Sequence, residues 1–407
     1  MDLRKLTVLL LSTFVALLGV GIIVPILPIY ATDLGASGTV IGLMVAGFSF
    51  SRGILQPLVG GISDRRGKKR FMVAGLVIYS LSGLAYTIAG SPTDLVIIRI
   101  IHGVGSAMIV PMAMSYIGEL APEGEEGKYM GYFNIALFTG IGAGPLIGGI
   151  FLDSFGVNSA FYAMSSLSAL SMVLVLTLVP KDVRTGFEEA APSLLTTFRR
   201  MTGNLRVLGI LVGRMSTMFV MVPTMAFLPL LMDRFMEASG LQVGMVIATR
   251  TLTNASLQTP FGKMADRVNK TPFFLLGVGI MAVAMLAVPT AGNIVMLLGI
   301  FATLGVGEAI VWPTLGALAT EEGRTYGQGS MMGVFNMAMS IGIFCGSLAA
   351  GALVDTIGLS WMFISVGCVL VACGLLAVFL MKARDTLPAA SAGPPRPQRR
   401  TGVAGDW

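Results

Sequence analysis

Long apolar segments, separated by short polar stretches, follow one another along the whole chain. Each is long enough to cross a bilayer as a helix, which takes about 20 residues. A β-barrel would show short segments of alternating hydrophobicity instead. The pattern therefore predicts an all-α integral membrane protein with about twelve transmembrane helices. The predicted segments lie near 6–30, 41–62, 71–90, 94–118, 129–152, 159–180, 205–232, 240–262, 272–290, 294–319, 329–353 and 360–381.

The composition is that of a protein surrounded by lipid. Of the 407 residues, 55% are hydrophobic and 12% are charged, whereas soluble domains carry about 25% charged residues. The three cysteines lie inside apolar segments, His102 is the single histidine, and the sequence contains no CxxC or HExxH pattern. No nucleophile–base or metal-ligand constellation is evident. We therefore expect no metal, no cofactor and no enzymatic activity.

Basic residues are concentrated on one side of the predicted bundle, in the loops after the second and eighth segments, the middle loop and the tail. The opposite side is acidic. By the positive-inside rule both termini are cytoplasmic, in a multi-pass protein of the cell (inner or plasma) membrane. The bias explains the net charge of +6 without a nucleic-acid partner. The acidic set is Asp33, Asp153, Asp233, Glu237 and Asp355, and the basic set includes Arg66, Lys69, Arg70, Lys181, Arg184, Lys263, Lys270 and Arg396.

The two halves of the chain repeat one another at a constant offset of 202 residues, the separation of Asp64 and Asp266. The repeat predicts two six-helix bundles, residues 1–180 and 205–382, joined by a cytoplasmic linker at 181–204 and followed by a disordered tail at 383–407. Parallel repeats of this kind form a binding site near the membrane midplane. The offset also pairs Gly103 with Gly305, Pro111 with Pro313, Glu119 with Glu321, Asn134 with Asn336, Gly140 with Gly342, Asp153 with Asp355 and Gly156 with Gly358.

The loop after the second segment carries the most specific motif. Residues 60–70 read GGISDRRGKKR and match G-x-x-x-D-R-x-G-[RK]-[RK], so the chain resembles the major facilitator superfamily over essentially its whole length. The resemblance implies that Asp64 caps a helix of the second half and holds the cytoplasmic side shut, with Arg65 near Glu119. The implied gating residues are Gly60, Asp64, Arg65, Gly67, Lys68, Glu119, Gly262, Asp266, Arg267 and Glu321; the second copy has Asn269 in place of the later glycine.

The fourth and fifth segments carry two further motifs of the same family. Arg99 begins a stretch that resembles R-x-x-x-G-x-x-x-A, in which the arginine is linked to proton coupling, and His102 either shares that proton network or packs as a hydrogen-bonded histidine. Residues 140–149 match G-x-x-x-G-P-x-x-G-G through Gly140, Gly144, Pro145, Gly148 and Gly149. This pattern resembles the twelve-helix drug:proton antiporter branch and favours export over import.

Four arginines and one carboxylate lie well inside the predicted helices, away from their ends: Arg52, Arg99, Arg214, Arg250 and Glu308. Because a buried charge needs a partner or water, intramembrane ionisable residues are functional candidates. Glu308 is expected to accept the proton, to contact the substrate or to do both, although it could also form a structural salt bridge with a buried arginine. Arg52, Arg214 and Arg250 are candidate substrate contacts, as are Asn134 and Asn336. The excess of positive charge points to an anionic or zwitterionic substrate.

The main functional hypothesis is a secondary active transporter, a proton-coupled antiporter that exports a small amphipathic compound by alternating access. The alternative is a carrier of organic anions or anionic lipids built around Arg52 and Arg250, and a non-transporting receptor with the same fold is a third reading. The expected partners are a small-molecule substrate, protons and membrane lipid, and the protein is expected to be a monomer.

Overall fold

The computed structural model of the chain describes residues 3–120, 126–179, 201, 203–326 and 328–383. It describes the side chains in those ranges except at 3–5, 57, 61, 64–65, 118–120, 126–128, 130 and 328–330. In this part of the chain every regular element is a helix. The predicted linker at 181–204 lies largely outside the described residues, and the predicted tail at 383–407 lies outside them except for Ala383.

Seven helices form the N-terminal half. The apolar segments form these helices, and polar or glycine residues lie at their ends. Ser37 accepts a hydrogen bond from the Val40 N–H at the start of one helix. Gly156 follows the end of another with φ of +80°, a conformation that favours glycine. They are α1 (Leu3–Ile23), α2 (Ile26–Asp33), α3 (Gly38–Arg66), α4 (Lys68–Thr87), α5 (Pro92–Leu120), α6 (Glu126–Phe155) and α7 (Val157–Leu178).

Seven further helices form the C-terminal half, and each has its counterpart seven places earlier. Ser239 and Gln242 build a capping box at the start of α10, and Gly358 ends α13 with φ of +84°. The helices are α8 (Leu205–Val222), α9 (Leu228–Met236), α10 (Gly240–Ala265), α11 (Lys270–Ala287), α12 (Ile294–Tyr326), α13 (Gln328–Ile357) and α14 (Leu359–Lys382).

The first span of each half is interrupted at equivalent places. In the N-terminal half the break between α1 and α2 contains Pro25, and in the C-terminal half α8 and α9 are joined by a π-helical segment, Pro223–Phe227. Proline removes a backbone donor and breaks the hydrogen-bond ladder. With each interrupted pair counted once, the described helices make twelve spans. Eleven of these meet the length and apolar composition of a membrane crossing; the twelfth helix, α10, has 26 residues.

The two halves meet along two repeat-related helix pairs, α3 with α13 and α6 with α10. The helices touch most closely at the end of the molecule that carries Asp153 and Asp355, here called the acidic end. There, a Cβ on Gly42 would collide with the Ser347 carbonyl oxygen, and one on Gly149 with the Gly240 carbonyl oxygen. Such contacts bring backbones together where small residues permit it.

The same helices separate toward the other end, which carries Gly67 and Asn269 and is here called the basic end. Midway along, a Cβ on Gly53 would still lie 3.0 Å from the Ser340 Cβ. Further along, a Cβ on Gly60, Gly131 or Gly333 would meet no atom within 4 Å. The two halves are therefore closed against each other at the acidic end and spread apart at the basic end.

The helix boundaries follow the sequence predictions to within about four residues, except that α12 continues to Tyr326, beyond the predicted end at 319. The seventh predicted segment, 205–232, corresponds to α8, the π-helical segment and α9 together, because Pro223 interrupts the helix without ending the span. The prediction of an all-α membrane fold with about twelve helices is confirmed.

Candidate functional site

An ion pair lies buried inside the C-terminal half. The Arg250 Nη2 on α10 lies 2.5 Å from the Glu308 Oε1 on α12, and the Arg250 Nε donates to both carboxylate oxygens at 3.1 and 3.0 Å. Each of the two residues is 2% exposed. The contact is possible because α10 and α12 approach closely: a Cβ on Gly305 would lie 2.5 Å from the Arg250 carbonyl oxygen.

Two polar side chains complete the shell of this pair. The Arg250 Nη1 donates to the Thr224 hydroxyl oxygen, which is held in the π-helical segment; such segments are frequent at functional sites. The Asn254 Nδ2 lies 3.5 Å from the Glu308 Oε2, and the Asn254 Oδ1 is buried without a hydrogen-bond partner among the described side chains and backbone. Glu308 is therefore a carboxylate whose charge is balanced in place, the salt-bridge alternative that the sequence left open.

The corresponding interior of the N-terminal half holds cations and aromatic rings. Arg99 is 7% exposed and its Cζ lies 5.5 Å from the centroid of the Phe48 ring. Arg52, on α3, is half-buried. The Nε atoms of both arginines are buried and have no hydrogen-bond partner in the described part of the chain. A cation on an aromatic face recovers part of its solvation, but neither group has a carboxylate within ion-pair distance among the described side chains.

His102 packs beside these arginines as an aromatic residue. It is fully buried, its Nδ1 lies 3.3 Å from the Tyr86 hydroxyl, and its ring makes an edge contact with Tyr79 at a centroid distance of 4.4 Å. Its Nε2 is buried and finds no hydrogen-bond partner within the described ranges. These contacts match the packing reading of His102, and its part in proton coupling stays a prediction.

Arg214, on α8, is enclosed by aromatic residues. Its Cζ lies 4.8 Å from the Phe335 ring centroid and 5.7 Å from that of Trp312, and its Nη2 lies 3.2 Å from the Met339 sulfur. The Phe138 ring of the other half lies 6.2 Å from that of Trp312. The structure thus places Arg214 near the boundary between the two halves.

The two candidate asparagines have exposed side chains. Asn134, on α6, and Asn336, on α13, occupy repeat-related positions on the helices that form the interface between the halves. Both positions lie toward the basic end, where those helices separate. Their role as substrate contacts remains a prediction.

The acidic end carries a symmetric pair of contacts between the halves. The Asp153 carboxylate, at the end of α6, accepts hydrogen bonds from the Gly240 and Leu241 N–H groups at 2.7 and 2.9 Å. The Asp355 carboxylate, at the end of α13, accepts from the Gly38 and Thr39 N–H groups at 2.7 and 2.8 Å. Each carboxylate therefore caps the first turn of a helix in the other half.

The motif loop at the basic end is built from glycine and lysine. Gly67 has φ of +97°, which explains why the motif requires glycine there. Asn269 has φ of −64° instead, and its side chain accepts from the Thr271 N–H at the start of α11. The Lys69 Nζ donates to the Leu176 carbonyl oxygen at 2.9 Å, at the end of α7, and Lys68 is buried.

The structure describes the side chains of some of the expected gating residues and not of others. The side chains of Asp64, Arg65 and Glu119 lie outside the described residues, so the closure of the basic end through Asp64 stays a prediction. In the second half, Glu321 pairs with Arg206 at 2.9 Å and with Lys270 at 3.0 Å. Asp266 and Arg267 have exposed side chains. The repeat relates Arg267 and Glu321 to Arg65 and Glu119, but the described partners of Glu321 are Arg206 and Lys270 instead.

The α6 motif presents two faces. Gly140, Gly144 and Gly148 are spaced four residues apart and abut α1 at Phe14, Gly21 and Ile22. Pro145 and Gly149 lie on the next face and abut α10 across the interface, at Gly244 and Gly240. The motif therefore joins packing within the first half to contact between the halves.

An apolar groove of 370 Å³ lies between α1 and α6. Only Thr7, Tyr132 and Thr139 add polar atoms to its lining. The groove opens beside the interface helix α6, so an amphipathic molecule could rest its apolar part there. The remaining lining residues are Leu10, Leu11, Phe14, Ile135 and Ala136.

Three features of the site escaped sequence reasoning. Trp312 and Phe335 were not distinguished from packing aromatics, although Trp312 follows Glu308 by four residues and so lies on the same helix face. Thr224 gave no signal beyond the neighbouring Pro223. Asp153 and Asp355 were recognised as a repeat pair, but their contact across the halves was not foreseen.

Comparison with known proteins identifies the fold family. The model of the Major Facilitator Superfamily matches residues 9–237 and 210–405. An uncharacterized MFS-type transporter of Methanocaldococcus jannaschii is 32% identical over 364 residues, which cover 88% of this chain and 94% of that protein. The quinolone resistance protein NorA of Staphylococcus aureus is 31% identical over 196 residues, 47% of this chain and 50% of NorA.

Solved structures show the same architecture at low sequence identity. A bacterial homolog of the human lysosomal transporter Spinster, in an inward-facing, unoccupied conformation, has a TM-score of 0.80 at 14% identity and covers 96% of this chain and 100% of its own. The nucleoside transporter NupG has a TM-score of 0.79 at 13% identity and covers 93% of this chain and 99% of its own. These likenesses concern the fold.

Proposed function

The chain belongs to the major facilitator superfamily of membrane transporters, and on that premise we propose that it is a proton-coupled antiporter that exports a small amphipathic compound by alternating access. The observation that carries the proposal is the buried Arg250–Glu308 pair. The positive-inside rule predicts that both termini are cytoplasmic, so the basic end faces the cytoplasm. The space between the separated halves then opens to the cytoplasm. The protein would then lie in the cell membrane.

The Arg250–Glu308 pair can couple proton binding to a change of contacts. Protonation of Glu308 removes its negative charge, which leaves Arg250 with the Thr224 hydroxyl as its remaining partner. A buried cation without a counter-charge is costly, so the protonated pair favours a different arrangement of α10 and α12. A compound that binds best when Glu308 is ionised therefore competes with the proton, which is the requirement for exchange.

Two observations support export of an amphipathic compound. The likeness to NorA, whose name records quinolone resistance, covers half of that protein. The α6 motif that resembles the drug:proton antiporter branch joins α1 to α10, and the apolar groove lies beside it.

The test is proton flux in proteoliposomes that carry a pH gradient. A matched series of probes shares one naphthyl group and carries an ammonium, a hydroxymethyl or a carboxylate: 2-naphthylmethylamine, 2-naphthalenemethanol and 2-naphthoate. We expect proton movement on addition of the amine or the alcohol, and none in Glu308→Gln. The matched control is Ser106→Ala at the repeat-related position, which should keep its flux. Undiminished flux in Glu308→Gln would refute Glu308 as the proton site.

A second candidate function, an organic-anion carrier, is favoured by the unpartnered arginine atoms. Arg250 is paired with Glu308, whereas the Nε atoms of Arg52, Arg99 and Arg214 have no hydrogen-bond partner among the described residues. An anion bound near Glu308 would promote its protonation, so the proton and the anion would move in the same direction. A response to 2-naphthoate alone, with proton uptake and loss in Arg52→Gln, would establish this function instead.

A further inference from the structure

We propose that Arg214 and Trp312 form a subsite that binds the acidic group of an aromatic carboxylate at the boundary between the two halves. This inference rests on the second candidate function, the organic-anion carrier, because it names the chemical class of the substrate, but it does not depend on proton coupling or on the direction of transport. It begins with two hydrogen-bond donors, the Arg214 Nε and the Trp312 Nε1. Both atoms are buried, and neither has a hydrogen-bond partner among the residues that the structure describes.

The Arg214 charge is only weakly compensated. Its contacts are two aromatic faces and a sulfur atom, at Phe335, Trp312 and Met339. Glu308, a buried carboxylate of the C-terminal half, forms its ion pair with Arg250. Buried polar groups in native proteins are normally paired, and guanidinium groups bind carboxylates in particular. An acid group supplied by a ligand would complete the site.

The surrounding side chains favour a ligand in which the acid group is attached to an aromatic ring. The Trp312 ring lies 6.2 Å from the Phe138 ring at an interplanar angle of 35°, and Phe138 belongs to α6 of the other half. Ring pairs at this separation belong to the range of favourable aromatic contacts. A ligand ring beside Trp312 would therefore touch both halves, as a transported compound must.

The test compares two probes of one shape at equilibrium. Binding of 2-naphthoate and of its uncharged amide, 2-naphthamide, is measured by equilibrium dialysis in detergent, with protein-free micelles as the blank. Arg214→Gln should weaken naphthoate binding about tenfold or more, as expected for a hydrogen bond to a charged group. It should change naphthamide binding less than about twofold.

A second variant isolates the indole donor. Trp312→Phe keeps an aromatic ring and removes the N–H, and it should weaken naphthoate binding about three- to tenfold. Trp361→Phe is the matched control, because Trp361 is 61% exposed on α14, and it should leave binding unchanged. If Arg214→Gln does not fold, Arg214→Lys carries the test, since it keeps the charge and loses the planar fork.

The outcomes separate this subsite from the proposed function. Equal effects of Arg214→Gln on the acid and the amide, or no naphthoate binding by the unaltered protein, would overturn the subsite. Glu308→Gln should bind naphthoate within about threefold of the unaltered protein even where proton flux is lost. If Glu308→Gln loses proton flux and still binds naphthoate, the result supports the role of Glu308 in proton coupling and leaves the Arg214–Trp312 subsite intact.

A different observation carries a second inference: we propose that Asp153 and Asp355 form a two-fold-related latch that holds the acidic end closed. The first N–H groups of α3 and α10 have no partner within their own helices. In α10, the Gln242 N–H is satisfied by the Ser239 hydroxyl of the same half at 3.3 Å, whereas Gly240 and Leu241 donate to Asp153 of the other half.

The arrangement in α3 is the same at an offset of 202 residues. The Val40 N–H lies 3.4 Å from the Ser37 hydroxyl oxygen, and the Gly38 and Thr39 N–H groups donate to Asp355. The Thr39 hydroxyl adds a further bond at 2.6 Å. When the halves separate at the acidic end, these N–H groups and both carboxylates lose their partners together. The contacts therefore stabilise the conformation in which this end is shut.

The test measures distances across each end by paired spin labels in a variant whose three cysteines are replaced. Labels at Ile88 and Val295, which are 84% and 77% exposed, report on the acidic end, and labels at Arg70 and Arg324 report on the basic end. The double variant Asp153→Asn/Asp355→Asn should increase the share of molecules with the long acidic-end distance at least about threefold. The basic-end distance should shorten in the same molecules.

Asp94→Asn provides the matched control. Asp94 also caps a helix start, but it accepts from Gly90 and Ser91 of its own half at 3.1 and 2.9 Å. It should leave both distances unchanged. If the double variant moves the distances no more than Asp94→Asn does, the latch is wrong.

Discussion

The interiors of the two halves share a backbone arrangement and differ in their side chains. A Cβ on Gly305 would press on the Arg250 carbonyl oxygen, and a Cβ on the repeat-related Gly103 would press on the Phe48 carbonyl oxygen. Arg250 and Glu308 thus correspond to Phe48 and Ser106 of the N-terminal half. One pair is a buried ion pair, and the other contributes an aromatic ring and a hydroxyl. The repeat determines where helices meet, and the chemistry at the meeting point differs between halves.

The difference extends to the remaining charges. Asn254 in the C-terminal half stands at the position of Arg52, and it lies beside Glu308 rather than adding a charge. In the N-terminal half Arg52 and Arg99 have no carboxylate among the described side chains of the interior. The interior of the C-terminal half therefore contains a buried ion pair. The interior of the N-terminal half contains cations without a carboxylate partner among the described side chains.

The largest expected effect distinguishes these two kinds of arginine. Arg250→Ala should destabilise the protein by about 3–5 kcal/mol, because it leaves the Glu308 carboxylate buried and unpaired. Arg52→Ala removes a cation without a carboxylate partner and should cost less than about 1 kcal/mol. Thermal unfolding in detergent measures both.

The double variant Arg250→Ala/Glu308→Gln is the control for this prediction. It removes the uncompensated charge and should recover part of the stability lost in Arg250→Ala. A loss in Arg52→Ala as large as that in Arg250→Ala would contradict the distinction between the halves.

A smaller effect tests the shared backbone packing. Gly149 meets Gly240 across α6 and α10, and the repeat-related Gly351 meets Gly38 across α13 and α3. Gly149→Val and Gly351→Val should each cost about 1–3 kcal/mol by overpacking and lower transport to a similar degree. Gly279→Val is the control, since a Cβ there meets no atom within 4 Å. If transport falls much more in one of the variants Gly149→Val and Gly351→Val than in the other, the two interface contacts are not equivalent.

The smallest effect concerns His102. Because its Nδ1 makes one hydrogen bond, to the Tyr86 hydroxyl, His102→Gln should cost about 1 kcal/mol and leave the pH profile of transport unchanged. Unfolding and transport measured between pH 6 and 8, the range where histidine titrates, check both statements. A profile that flattens in His102→Gln would make His102 part of the proton path.

The sequence predicts the scaffold well because the scaffold depends on local patterns. The length of the apolar segments defines the helices. The constant offset of 202 residues reveals the repeat, and it extends to Asp153 and Asp355. The pairing of Arg250 with Glu308 depends on how α10 and α12 approach over 58 residues of sequence separation, which no single motif encodes. Arg52 and Arg250 are both intramembrane cations in the sequence, yet of the two only Arg250 has a carboxylate partner among the described side chains. Trp312 became notable once Phe138 of the other half was seen beside it.

The central claim is that Glu308 exchanges its proton when substrate binds. The most direct measurement is the number of protons released into weakly buffered detergent solution when the protein is saturated with the probe that drives the largest flux in proteoliposomes. The account predicts proton release from the unaltered protein and from Ser106→Ala, and none from Glu308→Gln. Equal release from Glu308→Gln, or proton uptake by the unaltered protein, would contradict it.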